Sequence, residues 1–212
     1  MPPDRSTPLG GVVLAGGYST RFGETDKAVA DLAGTPLIRR VGDRLATVAD
    51  DIVVNCRDDQ LESIRGAFAD SDIEPAYATD PVPDRGPLAG IRVGLEATAR
   101  EYAAVVACDM PFVDPALVEL LAERARGRDG AVVRLEDGWY QTTQAVYRAD
   151  AMAAACADAL ESDEGRIVAA LERLDVATVD ERALEDGGIS ETTFESIDTQ
   201  EALVDAERRL ER

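Results

Sequence analysis

The chain has 212 residues, 45% of them hydrophobic, with 42 acidic against 22 basic side chains and no histidine, for a formal net charge of −20. That length and apolar content support a folded core and exclude a disordered composition, and the charge excludes a nucleic-acid binder, which needs a basic stripe to meet phosphate. Without histidine there is no imidazole acid–base catalysis, no Ser-His-Asp triad and no histidine metal ligand.

Residues 1–8, MPPDRSTP, lack the apolar core of a signal peptide and read as a disordered tail. "GVVLAG" (Gly11–Gly16) then reads as a buried strand. "PLIRRVGDRLATVA" (Pro36–Ala49) reads as a helix opened by proline, with Leu37, Val41, Leu45 and Val48 on one face. A second strand follows at Asp51–Cys56, a second helix at Asp59–Ala69 and a short strand at Glu74–Asp80. A third helix spans Pro87–Ala99, a strand Tyr102–Asp109, and a helix starts at Pro115. This β-α-β-α rhythm predicts a parallel sheet covered on both faces. After residue 130 the rhythm changes. "GAVVRLED" and "WYQTTQAVYR" read as strands close in sequence. A helix at Ala149–Leu160, another helix, a strand near Val176–Val179 and a last helix near Gln200–Leu210 complete the chain. The fold class is therefore α/β: one domain, residues 9–212, with a mostly parallel but mixed sheet and helices on both faces, Rossmann-like. Residues 9–125 carry the regular β-α-β-α rhythm and residues 126–212 the elaborated second half.

Charge is unevenly spread. Residues 1–100 hold 16 acids and 11 bases, residues 101–212 hold 26 acids and 11 bases, so the first half is the better place for an anion. Acid richness with almost no lysine resembles proteins of salt-loving archaea, where molar salt shortens the screening length to roughly 3 Å. A GC-rich genome would also favour arginine over lysine. The three cysteines, Cys56, Cys108 and Cys156, are far apart and form no CxxC, which reads as reduced, mostly buried thiols in a cytoplasmic protein. No apolar run approaches the ~18 residues of a membrane span.

Ligands of open α/β sheets sit at the carboxyl ends of strands. Here the first strand ends at Leu14-Ala15-Gly16-Gly17, where glycines allow close backbone approach and can point amides at phosphate oxygens. The spacing fits neither GxxxxGK[ST] nor GxGxxG, and a plain tight turn would also use two glycines. Arg21 and Lys27 bring two cations to the same stretch. Lys27 is the chain's only lysine against 21 arginines. A compact ammonium on a flexible stem can follow a phosphate through a reaction, whereas a planar guanidinium cannot replace it. A solvated surface lysine is the bland alternative. Asp109 ends a buried strand, where a carboxylate beside a phosphate cradle suits Mg²⁺; a helix cap before Pro111 is the competing role. Asn55, the only asparagine, also ends a strand, and its amide suits a base edge, a ribose or merely a turn. Asp80 opens a Pro- and Gly-rich loop, "DPVPDRGPLAG".

The run LAGG-x3-R-x-G-x2-DK, followed by "LAGTPLI", "IVVNCR", "GPLAGI" and "ACDMPFV", resembles the molybdenum cofactor guanylyltransferases (MobA-like) within the nucleotidyltransferases. The resemblance covers roughly residues 10–125 and implies that residues 9–125 are the nucleotide-binding half and residues 126–212 the acceptor-side half. It implies transfer of GMP from GTP to the phosphate of molybdopterin, with Mg²⁺, or Mn²⁺ in its place, on Asp109. It implies nucleotide contacts from Leu14, Ala15, Gly16, Gly17, Lys27, Asn55, Asp80 and Asp109, and catalytic roles for Lys27, Arg21 and Asp109. The loop from Asp80 to GPLAG is slightly shorter than in the family, which makes Asp84 a rival to Asp80. Relatives that transfer cytidylate tend to carry LAAG, so LAGG implies guanine. Family members often end in F-x-N-I-N-T-P where this chain reads "FESIDTQ", so Ser196 and Asp198 replace two amides near the acceptor. Asp198 would repel an anionic acceptor unless hydrogen-bonded; structurally, Asp198 or Thr199 would cap the last helix. That departure leaves adenosylcobinamide phosphate or a sugar phosphate as alternative acceptors, and an inactive GTP-binding adaptor as an alternative role. A molybdoenzyme or cofactor-insertion protein would be the partner; neither nucleic acid nor membrane is expected.

Overall fold

Alternation along each apolar run decides which face of the sheet its side chains cover. The computed structural model describes residues 8–17, 22, 26–82, 85–162 and 164–210. Arg21, Asp84 and nearly all of the expected tail lie outside the described residues. The first strand, β1, spans Leu9–Leu14; a two-stranded hairpin, β2 (Asp31–Leu32) and β3 (Thr35–Pro36), leads into α1 (Leu37–Leu45). Then come β4 (Asp51–Cys56), α2 (Leu61–Ala67), β5 (Ala76–Thr79), α3 (Pro87–Ala97), β6 (Tyr102–Ala107) and α4 (Pro115–Ala125). The second half adds β7 (Gly130–Val133), β8 (Gln144–Arg148), α5 (Ala149–Glu161), α6 (Ile167–Leu171), β9 (Val176–Val179), α7 (Glu181–Asp186) and α8 (Gln200–Leu210).

The main sheet has seven strands in the order β5-β4-β1-β6-β8-β7-β9. All neighbours pair in parallel except those of β8, which runs antiparallel to both β6 and β7. Val13, Val54 and Val106 point into a core shared with α1 and α4, through Ile38, Val41, Leu117 and Leu121. Val12, Val53 and Val105 point the other way, against Leu88, Ile91 and Leu95 of α3 and Met152 of α5. Both faces are buried, as a largely parallel sheet requires. Gly90 and Gly94 let α3 lie close on the strands: a Cβ at Gly94 would collide with Val12, and one at Gly90 would fall 2.5 Å from Asn55 Oδ1.

Beside β1 the chain order reverses: β4 lies on one side, and β6, reached through α3, lies on the other. The crevice at the carboxyl ends of β1 and β6 is thus a topological switch point. A third, smaller cluster packs α8 onto the β2–β3 hairpin through Phe22, Leu32, Leu37, Ile197, Leu203 and Ala206. This contact carries the C-terminal segment back to the end of β1.

Several elements are shorter than their sequence pattern. The strand expected over residues 139–148 begins only at Gln144, because residues 134–143 turn back as an extended hairpin loop bridged at Arg134 and Tyr140. The first helix ends at Leu45 rather than Ala49, and the sixth strand ends at Ala107, two residues before Asp109. The β2–β3 hairpin and α7 were not foreseen. The hairpin turns on Ala33 and Gly34, both with positive φ (50° and 82°), where Gly34 donates to Asp31 Oδ1 at 2.8 Å.

Candidate active site

Leu14, the last residue of β1, is followed by a loop that leaves the sheet. Ala15 N still donates to Asn55 O at 2.8 Å, but the chain then departs at Gly16 and Gly17. Two side chains from the end of β4 hold that loop. Arg57 Nη1 donates to the carbonyls of Gly16 (3.2 Å) and Gly17 (2.8 Å). Gln60, only 3% exposed, donates from Nε2 to Ala15 O (3.0 Å) and to Asp26 Oδ2 (2.6 Å), and its Oε1 accepts from Arg57 N (3.0 Å). Asp26 uses its other oxygen to accept from Ala28 N at 3.0 Å and so caps the short 3₁₀ turn Lys27–Val29. One buried amide therefore ties the glycine loop to the turn that carries the lysine.

Lys27 points inward with 14% of its side chain exposed. Its Nζ donates to Asp109 Oδ2 at 2.5 Å and to Asp198 Oδ1 at 2.7 Å. Burial works against the ammonium, but the charge of Asp109 and the hydrogen bonds to both carboxylates outweigh it and raise its pKa. The Lys27 hydrogen bond in turn holds the Asp198 carboxyl below its ordinary value, with help from Ser196 Oγ, which donates to Asp198 Oδ2 at 3.0 Å. Three segments distant in sequence meet here. The joint is sealed by Ile197 N, which donates to Asp109 O at 2.8 Å.

On the far side of the loop, Asn55, 1% exposed, donates from Nδ2 to Ala78 O (3.2 Å) and Asp80 Oδ1 (2.7 Å). Burial raises the Asp80 carboxyl, with Asn55 and Arg57 opposing. A Cβ on Gly16 would lie 2.7 Å from Asp80 Oδ2, so this carboxylate needs the glycine. A cavity of about 390 Å³ runs between these groups, lined by the glycine loop, Lys27, Asn55, Asp80, Asp109 and Thr143. Every described residue expected from the sequence to contact nucleotide lies on its wall.

Three site residues were missed by the sequence reading. Asp198 stood as a departure from an amide motif and as a helix cap. The capping is done instead by Thr199, whose Oγ1 accepts from Ala202 N at 3.1 Å, and Asp198 is left for Lys27. Arg57 lay inside a quoted motif without a role. Gln60 carried no signal, since only the fold places it beneath the loop. The three cysteines are free and buried, as read, and burial pushes the thiols up, to about 11 at Cys56.

A mostly parallel sheet, a glycine loop at the end of the interior strand β1 and a lysine–carboxylate cluster at the switch point define a nucleotide-binding α/β protein of the nucleotidyltransferase class. Comparison with known proteins agrees. The MobA-like NTP transferase domain matches residues 11–177, and the chain belongs to that family. A protein of Natronomonas pharaonis named a probable molybdenum cofactor guanylyltransferase is 50% identical over 200 residues, 94% of this chain and 97% of that one. A Haloferax mediterranei protein of the same name is 34% identical over 82% of each chain. The crystal structure of molybdopterin-guanine dinucleotide biosynthesis protein A from Archaeoglobus fulgidus superposes with a TM-score of 0.78 at 25% identity, covering 95% of this chain and 98% of that one. Among the described residues no helix is long and apolar enough to cross a membrane.

Proposed function

We propose that this protein transfers guanylate from GTP to the phosphate of molybdopterin and releases pyrophosphate. The observation that carries the reading is the meeting of Lys27, from the glycine-loop segment, with Asp109, from the end of β6, at 2.5 Å on the wall of a strand-end cavity. The names of the two haloarchaeal relatives and of the Archaeoglobus protein support guanylate and molybdopterin as donor and acceptor.

In this reaction an oxygen of the acceptor phosphate attacks the α-phosphorus of GTP, and the bond from that phosphorus to the β-phosphate oxygen breaks. The attacking phosphate is already ionised, so no general base is needed, in keeping with a chain that has no histidine. Catalysis is positioning and charge stabilisation. The glycine loop, fixed by Arg57 and Gln60, cradles phosphate oxygens. Lys27 supplies a mobile positive charge, and Arg21 is its expected companion. Asn55 and Asp80 face the nucleoside. Asp109 and Asp198 would hold Mg²⁺ or Mn²⁺: their carboxylates stand together beside Lys27, a hard-oxygen pair suited to a cation that completes its shell with water and phosphate. The metal, when bound, would neutralise charge on the phosphates. The carboxylate of Asp198, paired in this way, does not confront the acceptor as a bare anion.

The test is pyrophosphate release from GTP, ATP or CTP in molar KCl, with molybdopterin, adenosylcobinamide phosphate or a sugar 1-phosphate as acceptor. Turnover is expected with GTP and molybdopterin. Preference for another acceptor, or GTP binding without pyrophosphate release, would overturn the assignment.

A further inference from the structure

The candidate site residues run along the carboxyl edge of the sheet in strand order. Asp80 follows β5, Asn55 lies in β4, the glycine loop follows β1, and Asp109 follows β6. The next strand, β8, is reversed, so its amino end lies at this edge. Thr143, just before it, accepts from Ala107 N at 3.0 Å and lines the cavity. Beyond it stands β7, whose carboxyl end also lies here. The loop joining β7 to β8 thus rises on the side of Asp109 opposite to the nucleoside residues. With a triphosphate laid over β1 from a nucleoside above β4 and β5, this is the side from which an acceptor can approach.

That loop carries Trp139, the only tryptophan in the chain and 72% exposed. The turn beneath it is built rather than loose. Gly138, with φ of 87°, donates to Leu135 O at 2.8 Å, Leu135 N donates to Trp139 O at 3.1 Å, and Trp139 N donates to Asp137 Oδ1 at 2.9 Å. Glu136 N donates to Glu181 Oε1 at 2.8 Å, which moors the loop to α7. The neighbouring Tyr140 has the Arg134 guanidinium over its ring, 5.4 Å from the centroid, whereas the indole stays open to water. A large aromatic surface held in water by an ordered turn, four residues from the cavity wall, is suited to stacking on a planar ligand.

We infer that Trp139 is a specificity-determining residue that stacks on the acceptor's heteroaromatic ring. This rests on the guanylyl-transfer reading above. It gives the acceptor half of the site a recognition element even though Ser196 and Asp198 depart from the family's amides.

The experiment compares wild type, Trp139→Ala and Trp139→Phe, using molybdopterin under anaerobic conditions and, separately, a sugar 1-phosphate. Base-type stacking on an aromatic side chain corresponds to roughly a ten- to hundredfold effect on binding. Trp139→Ala is therefore expected to raise the acceptor KM by that factor, with the GTP dissociation constant, the saturated kcat and the melting temperature unchanged. Trp139→Phe should recover most of the loss. Because Trp139 is the sole indole, its emission should be quenched by molybdopterin and not by GTP or the sugar phosphate. An unchanged acceptor KM in Trp139→Ala would overturn the inference while leaving guanylyl transfer intact. Absence of pyrophosphate release by wild type with molybdopterin would remove the underlying reading and this inference with it.

Discussion

Replacing Lys27 by arginine keeps the charge and removes the geometry. In the native site one nitrogen meets two carboxylates, Asp109 at 2.5 Å and Asp198 at 2.7 Å, from a largely buried position. A guanidinium spreads its charge over a planar fork that favours bidentate pairing with a single carboxylate. It would hold Asp109 and lose Asp198, or the reverse. Losing one hydrogen bond between charged groups costs about 1.5–3 kcal/mol, which converts to roughly a ten- to hundredfold loss at about 1.4 kcal/mol per decade. The expected result is a fall in kcat of at least about tenfold, with GTP KM changed much less, since the charge that draws the triphosphate remains. The assay is continuous pyrophosphate detection at saturating GTP and molybdopterin, with circular dichroism to confirm folding. Turnover of Lys27→Arg within a factor of about two of wild type would refute the claim that the ammonium's compactness matters.

Other perturbations probe the same cluster from different sides. Gly16→Ala should push the Asp80 carboxylate out of place, because the new Cβ would fall 2.7 Å from Asp80 Oδ2; calorimetry should show GTP affinity down by about tenfold or more, equivalent to one lost charged hydrogen bond, and unchanged affinity would mean Asp80 does not touch the nucleotide. Gln60→Ala cuts the link between Ala15 and Asp26 and leaves buried partners unsatisfied, so the melting temperature should drop by about 2–8 °C for a loss of about 1–2 kcal/mol, together with kcat; a fall in stability alone would remove its positioning role. The pH dependence of stability has two limbs from one pair. The lowered Asp198 pKa stabilises the fold above the ordinary value of 3.8, and that contribution is lost as pH falls through the depressed folded value. The raised Lys27 pKa stabilises below 10.5, and its contribution is lost as pH rises through the elevated folded value. Lys27→Met should therefore lower the melting temperature most between these limits and narrow the gap to wild type at both extremes, and a constant offset at every pH would count against the coupling.

The sheet-forming half and the residues that can carry chemistry are legible from the chain alone. Short continuous apolar runs, such as those around Val12–Val13 and Val53–Val54, leave little choice but a sheet covered on both faces. A lone lysine ten residues after a glycine pair and an aspartate just past an apolar run are local facts, readable because each needs only its own stretch of chain. Asp198 shows the limit. Its local sequence offers a helix cap, and Thr199 can do that work, so the pattern in the chain cannot say which side chain is released. Only the docking of α8 on the β2–β3 hairpin brings Asp198 within 2.7 Å of Lys27, across 171 residues of chain. Gln60 and Trp139 are of the same kind. The role of each depends on which strand ends stand side by side, and strand order is set by long-range pairing that no local propensity encodes.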